Sequence, residues 1–175
     1  MNVPALLKKL AHFDYNSEWY LGKPSIPNAL EVINKSDKKK VSFWFATGGA
    51  GFCLSRPLVE KMAPLVANGE FVATGENIRL PDDVTVGYII EHKLGVPLTV
   101  VRTFHSHLEP LRLLPESSMA DQISFGYAAP SPSQQSNHIA LSQGLSELDD
   151  PTRFISLHCY LFPQSLPALC PTPKN

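Results

Sequence analysis

No segment constrains this chain more than Val41 to Ala46, VSFWFA, which is β-branched and aromatic with apolar side chains on both parities. That is the pattern of a strand buried on two faces, so the segment is expected to be central in its sheet. Thr47-Gly48-Gly49-Ala50-Gly51 breaks the strand, and a second apolar piece, Phe52 to Leu54, follows. Ser55 then caps a helix with Pro57 in its first turn and Leu58, Met62 and Leu65 on one face, and Gly69 lies beyond its end.

The flanking segments alternate in the same way. Val3, Leu6, Leu7, Leu10 and Phe13 repeat with helical spacing, which predicts an amphipathic helix from Pro4 to about His12. Glu18 to Leu21 reads as a short strand closed by Gly22 and Pro24, and Pro27 to Lys40 as a polar loop. Leu80-Pro81-Asp82-Asp83 introduces a helix from Val84 to about Lys93 that stops at Gly95, and Leu98 to Phe104 is another strand. This alternation predicts an α/β core over residues 1–114. Periodicity fades over 115–150, where Pro130 to Ser136 is low in complexity. It returns over 151–175 as a strand, Phe154 to Phe162, leading into a cysteine loop.

Composition narrows the function. The 175 residues suit one domain, and 15 basic against 16 acidic residues leave no electrostatic footprint for nucleic acid. Lys38 to Lys40 is a solvated run, and no apolar stretch is long enough to span a bilayer. Sixteen prolines, four of them in the last thirteen residues, make the tail extended or turn-rich. Cys159 and Cys170 lie close together in that tail and look like a disulfide loop. The Asn34-Lys35-Ser36 sequon also favours an oxidising lumen, whereas the absence of a signal peptide favours the cytosol.

Several residues carry candidate chemistry. Gly48-Gly49-Ala50-Gly51 has the form of a turn where backbone approaches a ligand, or of a β-bulge, and matches neither the P-loop nor the dinucleotide pattern. Asp82 and Asp83 begin a helix, where one caps the backbone N–H groups and the other either meets the positive end of the helix dipole or faces a cleft as a general base or metal ligand. On a strand, His105 and His107 would point the same way, and with Glu109 they form a candidate metal set; a hydrogen-bonded core histidine is the alternative. His12, His92, His138 and His158 read as structural, and Cys53 as a small buried hydrophobe.

These pieces together resemble the Fringe glycosyltransferases, with a wording nearer the invertebrate members. The resemblance rests on FWFATGGAGFCLSR (Phe43 to Arg56), LPDDVTVGYIIEHKLGVPLTVV (Leu80 to Val101) and FHSHLEP (Phe104 to Pro110). EWYLGKPS (Glu18 to Ser25) and DPTRFISLHCYLFP (Asp150 to Pro163) match in the same order. It implies the C-terminal portion of a GT-A fold in a Golgi-resident, lumenal type II membrane enzyme that uses Mn2+ and UDP-N-acetylglucosamine. The reaction implied is β1,3 transfer of N-acetylglucosamine to O-fucose on the EGF-like repeats of Notch-type receptors, with inversion. Residue by residue, Asp83 matches the catalytic base, with Asp82 beside it, and His107 the metal-binding histidine. Gly48, Gly49, Ala50 and Gly51 match the substrate-lining loop, and Cys159 with Cys170 the C-terminal disulfide. Family members carry a triple aspartate just before the segment matching Asn2-Val3, where this sequence begins. The resemblance therefore implies an upstream acidic motif, membrane anchor and partner for Cys53. An inactive fragment or short isoform that binds acceptor glycoprotein or a partner is the alternative reading. Asp83 and His107 are expected to converge on one cleft beside the glycine turn.

Overall fold

The structure, a computed structural model, describes residues 1–35, 38–130 and 137–170. Ser36 of the sequon, the run 131–136 and the final prolines of the tail lie outside the described residues.

The chain forms a mixture of helix and sheet. It opens with α1 (Val3–Leu10), whose N-cap Asn2 accepts the N–H of Ala5. The middle strand of a three-stranded sheet is β1 (Tyr20–Gly22), fully buried along its length. It pairs antiparallel with β4 (Cys53–Leu54) and parallel with β5 (Leu98–Val100), Leu21 standing beside both Cys53 and Thr99. A methyl group on Gly22 would stand 2.4 Å from Ala46 Cβ, so a residue without a side chain is what lets the chain leaving VSFWFA cross the end of β1.

The VSFWFA segment is not central. Its strand, β3 (Lys40–Phe43), has one partner among the described residues, β2 (Leu30–Ile33), in an antiparallel hairpin that runs through the predicted polar loop. Val41 and Phe43 are buried while Lys40 and Ser42 are exposed. Phe45 and Ala46 are buried as well, but the strand has ended before them. The doubled apolar parity therefore arises where a half-buried strand runs on into a buried crossing segment.

Ser55 precedes α2 (Arg56–Val66), but its hydroxyl accepts the N–H of Trp19 at 2.8 Å and does not cap the helix. A further helix, α3 (Glu70–Ile78), follows the left-handed Gly69, and then α4 (Asp82–Gly87) passes without a break into a π-helical stretch, Tyr88–Lys93. Gly95, at φ +71°, ends this run as expected. The apolar run Phe154 to Phe162, expected to be a strand, is instead α5 (Phe154–Leu161). Asp150 decides the outcome: its carboxylate accepts the N–H of Ser156 at 2.7 Å and organises the first turn. Cys170 closes back on Cys159 of this helix in a disulfide, Cα to Cα 5.1 Å.

Three apolar clusters hold these pieces. The first joins Phe43, Phe45, Leu58, Tyr88, Ile89 and Ile90. The second gathers Leu21, Ala50, Val101, Phe104 and Ile123 under α1, and the third joins Leu111, Met119, Ile139 and Leu157.

Candidate functional site

The glycine turn lies between the first two clusters. Thr47 donates its N–H to Lys23 O, residues Gly48–Ala50 make a single 3-10 turn, and Gly51 leaves it at φ +82°, a conformation that glycine takes without strain. Ala50 is buried in the second cluster, and its carbonyl accepts the Ser124 hydroxyl at 2.5 Å. Ala50 thus anchors the turn from behind, and the exposed members are Gly48 and Gly49.

Asp83 reaches Gly48 from the start of α4. Its Oδ2 accepts the Gly48 N–H at 2.9 Å across 35 residues of sequence, and its Oδ1 accepts the neighbouring Val84 N–H. The helix N-cap position belongs to Pro81, and Asp82, exposed, accepts the N–H of Asp83 through Oδ1. One oxygen of Asp83 therefore serves its helix locally and the other is committed to the turn. Burial pushes the Tyr20 phenol well above its ordinary range, and its oxygen accepts the Ala46 N–H at 2.8 Å.

His107 approaches the next residue of the turn. A methyl group on Gly49 would stand 3.2 Å from His107 Nδ1, while Gly48 has Asp83 as its nearest neighbour. The structure thus brings Asp83 and His107 to adjacent glycines of one turn. His105 goes elsewhere. Strand β5 ends at Val100, so the alternation that would set the two histidines side by side does not extend to them. His105 is buried, with Nδ1 3.0 Å from Glu109 Oε2 and Nε2 2.8 Å from the Gln122 side-chain oxygen, whereas His107 is exposed. His105, His107 and Glu109 therefore form no common ligand set. Among the described residues no group of three or more His, Cys, Asp or Glu side chains is placed to hold a metal ion.

Glu109 is bound on both oxygens, to Ser106 N–H through Oε1 and to Lys23 and His105 through Oε2. Burial alone would raise its carboxyl above the ordinary value. The bonds from Lys23, His105 and Ser106 outweigh that and hold it below. Cys53 is unpaired and half-buried, and burial pushes its thiol up, away from the reactive thiolate. Asn137 and Gly126, both against the His107 turn, had no signal in the sequence, because they lie in the stretch without periodicity.

A family model described as Fringe-like matches residues 1–165. A Drosophila melanogaster protein named Fringe glycosyltransferase is 52% identical over 167 residues, covering 93% of this chain and 40% of that protein. Two proteins named beta-1,3-N-acetylglucosaminyltransferase lunatic fringe are similar at lower identity. The one from Bos taurus is 45% identical over 174 residues, with 98% of this chain and 45% of that protein covered. The one from Homo sapiens is 44% identical over 168 residues, covering 94% and 44%. The chain spans less than half the length of these relatives.

Proposed function

This chain belongs to the Fringe-like family, and on that premise we propose that it supplies the acceptor-activating side of an inverting glycosyl transfer. The fold we propose is the C-terminal portion of a GT-A domain, in a lumenal Golgi membrane enzyme. The donor is UDP-N-acetylglucosamine, and the acceptor is O-linked fucose on the EGF-like repeats of Notch-type receptors. The observation that carries the proposal is the Asp83 carboxylate, half-exposed and held at the turn by the Gly48 N–H. A carboxylate held through both oxygens by backbone N–H groups at the mouth of a two-glycine step keeps lone pairs that can take a proton from a hydroxyl seated there. The fucose 3-hydroxyl passes its proton to Asp83 as its oxygen bonds to the anomeric carbon of the donor. The bond from that carbon to the diphosphate breaks on the opposite face, UDP leaves with the electron pair, and the configuration inverts.

Gly48 and Gly49 leave room for the acceptor ring next to the base, which a side chain at either position would take. For the divalent cation, proposed to be Mn2+, the described residues bring one imidazole, His107, to the turn. One imidazole does not complete a cation site, so the steps above run through Asp83 and the turn alone.

The test is Asp83→Asn in a protein extended to the length of the relatives, assayed with UDP-N-acetylglucosamine and an O-fucosylated acceptor. Asparagine takes up no proton and keeps one oxygen, enough for the Gly48 N–H though not also for the Val84 N–H. Donor binding is expected to persist while transfer falls about 10²- to 10⁴-fold, the usual contribution of a general base. Transfer at the wild-type rate would leave Asp83 only a structural role, tying the start of α4 to the Gly48 N–H.

A further inference from the structure

The turn that carries His107 is gripped by residues from distant parts of the chain. On one side Glu109 reaches back to the N–H of Ser106 at 3.2 Å, while its other oxygen is paired with Lys23, at the end of β1, and with His105. On the other side Asn137, buried, donates its side-chain amide to the carbonyls of His107, at 2.8 Å, and Glu109. The Asn137 side-chain oxygen accepts the N–H of Leu111 at 2.9 Å. Gly126 closes the remaining face, for a methyl group there would stand 2.5 Å from His107 N and 2.8 Å from Ser106 C. The Ser106 side chain, completely buried, accepts the N–H of Leu108.

The Ser106 N–H, the carbonyls of His107 and Glu109 and the Leu111 N–H are thus paired from both sides, and the imidazole of His107 stands exposed beside Gly49. Buried polar groups are costly unless fully paired, and when fully paired they specify a single geometry. Here the geometry specified is the path of the main chain under one exposed ring.

We infer that Glu109 and Asn137 are positioning residues: from opposite sides they clasp the 106–111 turn and thereby fix the His107 imidazole against Gly49. The inference rests on reading this turn as part of the reaction site, but the placement of the ring is measured without any assay of transfer. Asn137→Asp is the informative change. It keeps the size of the side chain and the acceptor for Leu111 N–H, and it replaces the donor that faces two carbonyls with an oxygen that repels them.

In the 175-residue chain, nuclear Overhauser contacts between the His107 ring protons and the Gly49 Hα protons are expected in the wild type. In Asn137→Asp they should weaken several-fold, while contacts between the Phe43 and Tyr88 rings of the first cluster stay unchanged. Retention of the His107 to Gly49 contacts at wild-type strength in Asn137→Asp overturns the inference. Should Asn137→Asp fail to fold, Glu109→Gln decides in its place. It keeps the acceptor for Ser106 N–H and loses the charge that pairs with Lys23, so the same loss supports the clasp and the same retention sinks it. Wild-type transfer by His107→Ala in the longer protein would remove the functional reading and leave the clasp standing, so the two failures are told apart.

Discussion

A methyl group at Gly49 meets the exposed ring of His107 at 3.2 Å, whereas one at Gly87 would meet Phe45 Cβ at 2.3 Å and Phe45 Cα at 2.9 Å. The first contact is relieved when an exposed ring gives by a few tenths of an ångström and the second is with backbone that cannot yield, so the two alanine substitutions are expected to separate stability from function. Gly49→Ala should leave the unfolding free energy within about 0.5 kcal/mol of wild type, as for an open surface position. Transfer by the longer protein should fall at least ~10-fold, because small misplacements beside a reaction site are costly. Gly87→Ala gains up to ~1 kcal/mol in helix propensity but overpacks a fixed contact at ~1 to 3 kcal/mol or more, and destabilisation is expected. Denaturant unfolding of both variants with a transfer assay checks the pair, and a destabilised Gly49→Ala of normal activity would contradict it. At this scale the sequence was informative about which residue types meet. The residues alone left Asp82 and Asp83, the glycine turn and the two histidines with open alternatives, and Asp83 and His107 were singled out by the family resemblance. The division of labour between His105 and His107 was not legible, because it depends on where β5 stops and on Gln122 and Glu109 capturing one ring.

Elements were legible where a boundary residue had one physical option and illegible where an apolar run had two. Pro81 and Gly95 bracketed the α4 and π-helical run correctly, because one fixes φ at a helix start and the other takes the left-handed turn that ends it. FISLHCYL is apolar except for Ser156 and His158 and fits helix or strand, and Asp150, outside the run, holds the Ser156 N–H of the first helical turn. Strand β2 and helix α3 went unseen because LEVI sits half-exposed in a polar stretch and EFVATGENI carries a glycine, Gly75, at which a methyl group would stand 3.5 Å from the Thr85 hydroxyl. The Asp150 contact gives α5 a pH dependence whose sign is fixed. Burial alone would raise this carboxyl. The Ser156 N–H and hydroxyl, the Ile155 N–H and the charge of Arg153 outweigh burial and hold it below the ordinary aspartate value of 3.8. A lowered folded-state value means that the contribution is fully present above the unfolded value and is lost as pH falls through the folded one. Stability measured by denaturant from neutral pH downward should therefore drop below the ordinary aspartate value. In Asp150→Ala that acid dependence should be weaker and neutral stability lower by ~1 to 3 kcal/mol, since a buried N–H loses its acceptor. An unchanged acid profile would remove Asp150 from the account of why this segment is helical.

Across the whole molecule, the candidate site is the place where the three clusters meet, and this could not be read from any one segment. Asp83 precedes Val84 and Tyr88 of the first cluster, Ala50 roots the glycine turn in the second, and Leu111 ties the His107 turn to the third. Ile139 belongs to that third cluster, is completely buried, and stands two positions beyond Asn137. Truncating it should loosen the His107 side of the site without touching the Asp83 side. Ile139→Ala is expected to cost ~2 to 5 kcal/mol in global stability through lost burial and the cavity left behind. Stability is not uniform across a fold, and segments supported by a weakened cluster open first. Amide hydrogen exchange of the folded variant should therefore speed up together over 105–111 and 137–141, while 41–46 and 84–90, held by the first cluster, change only as much as the global loss requires. If all four segments quicken by the same factor, the domain opens as one unit and the clusters do not support the two halves of the site separately. If only 137–141 quickens, the clasp from Asn137 does not couple the third cluster to His107, and the positioning of that ring must come from the Glu109 side alone.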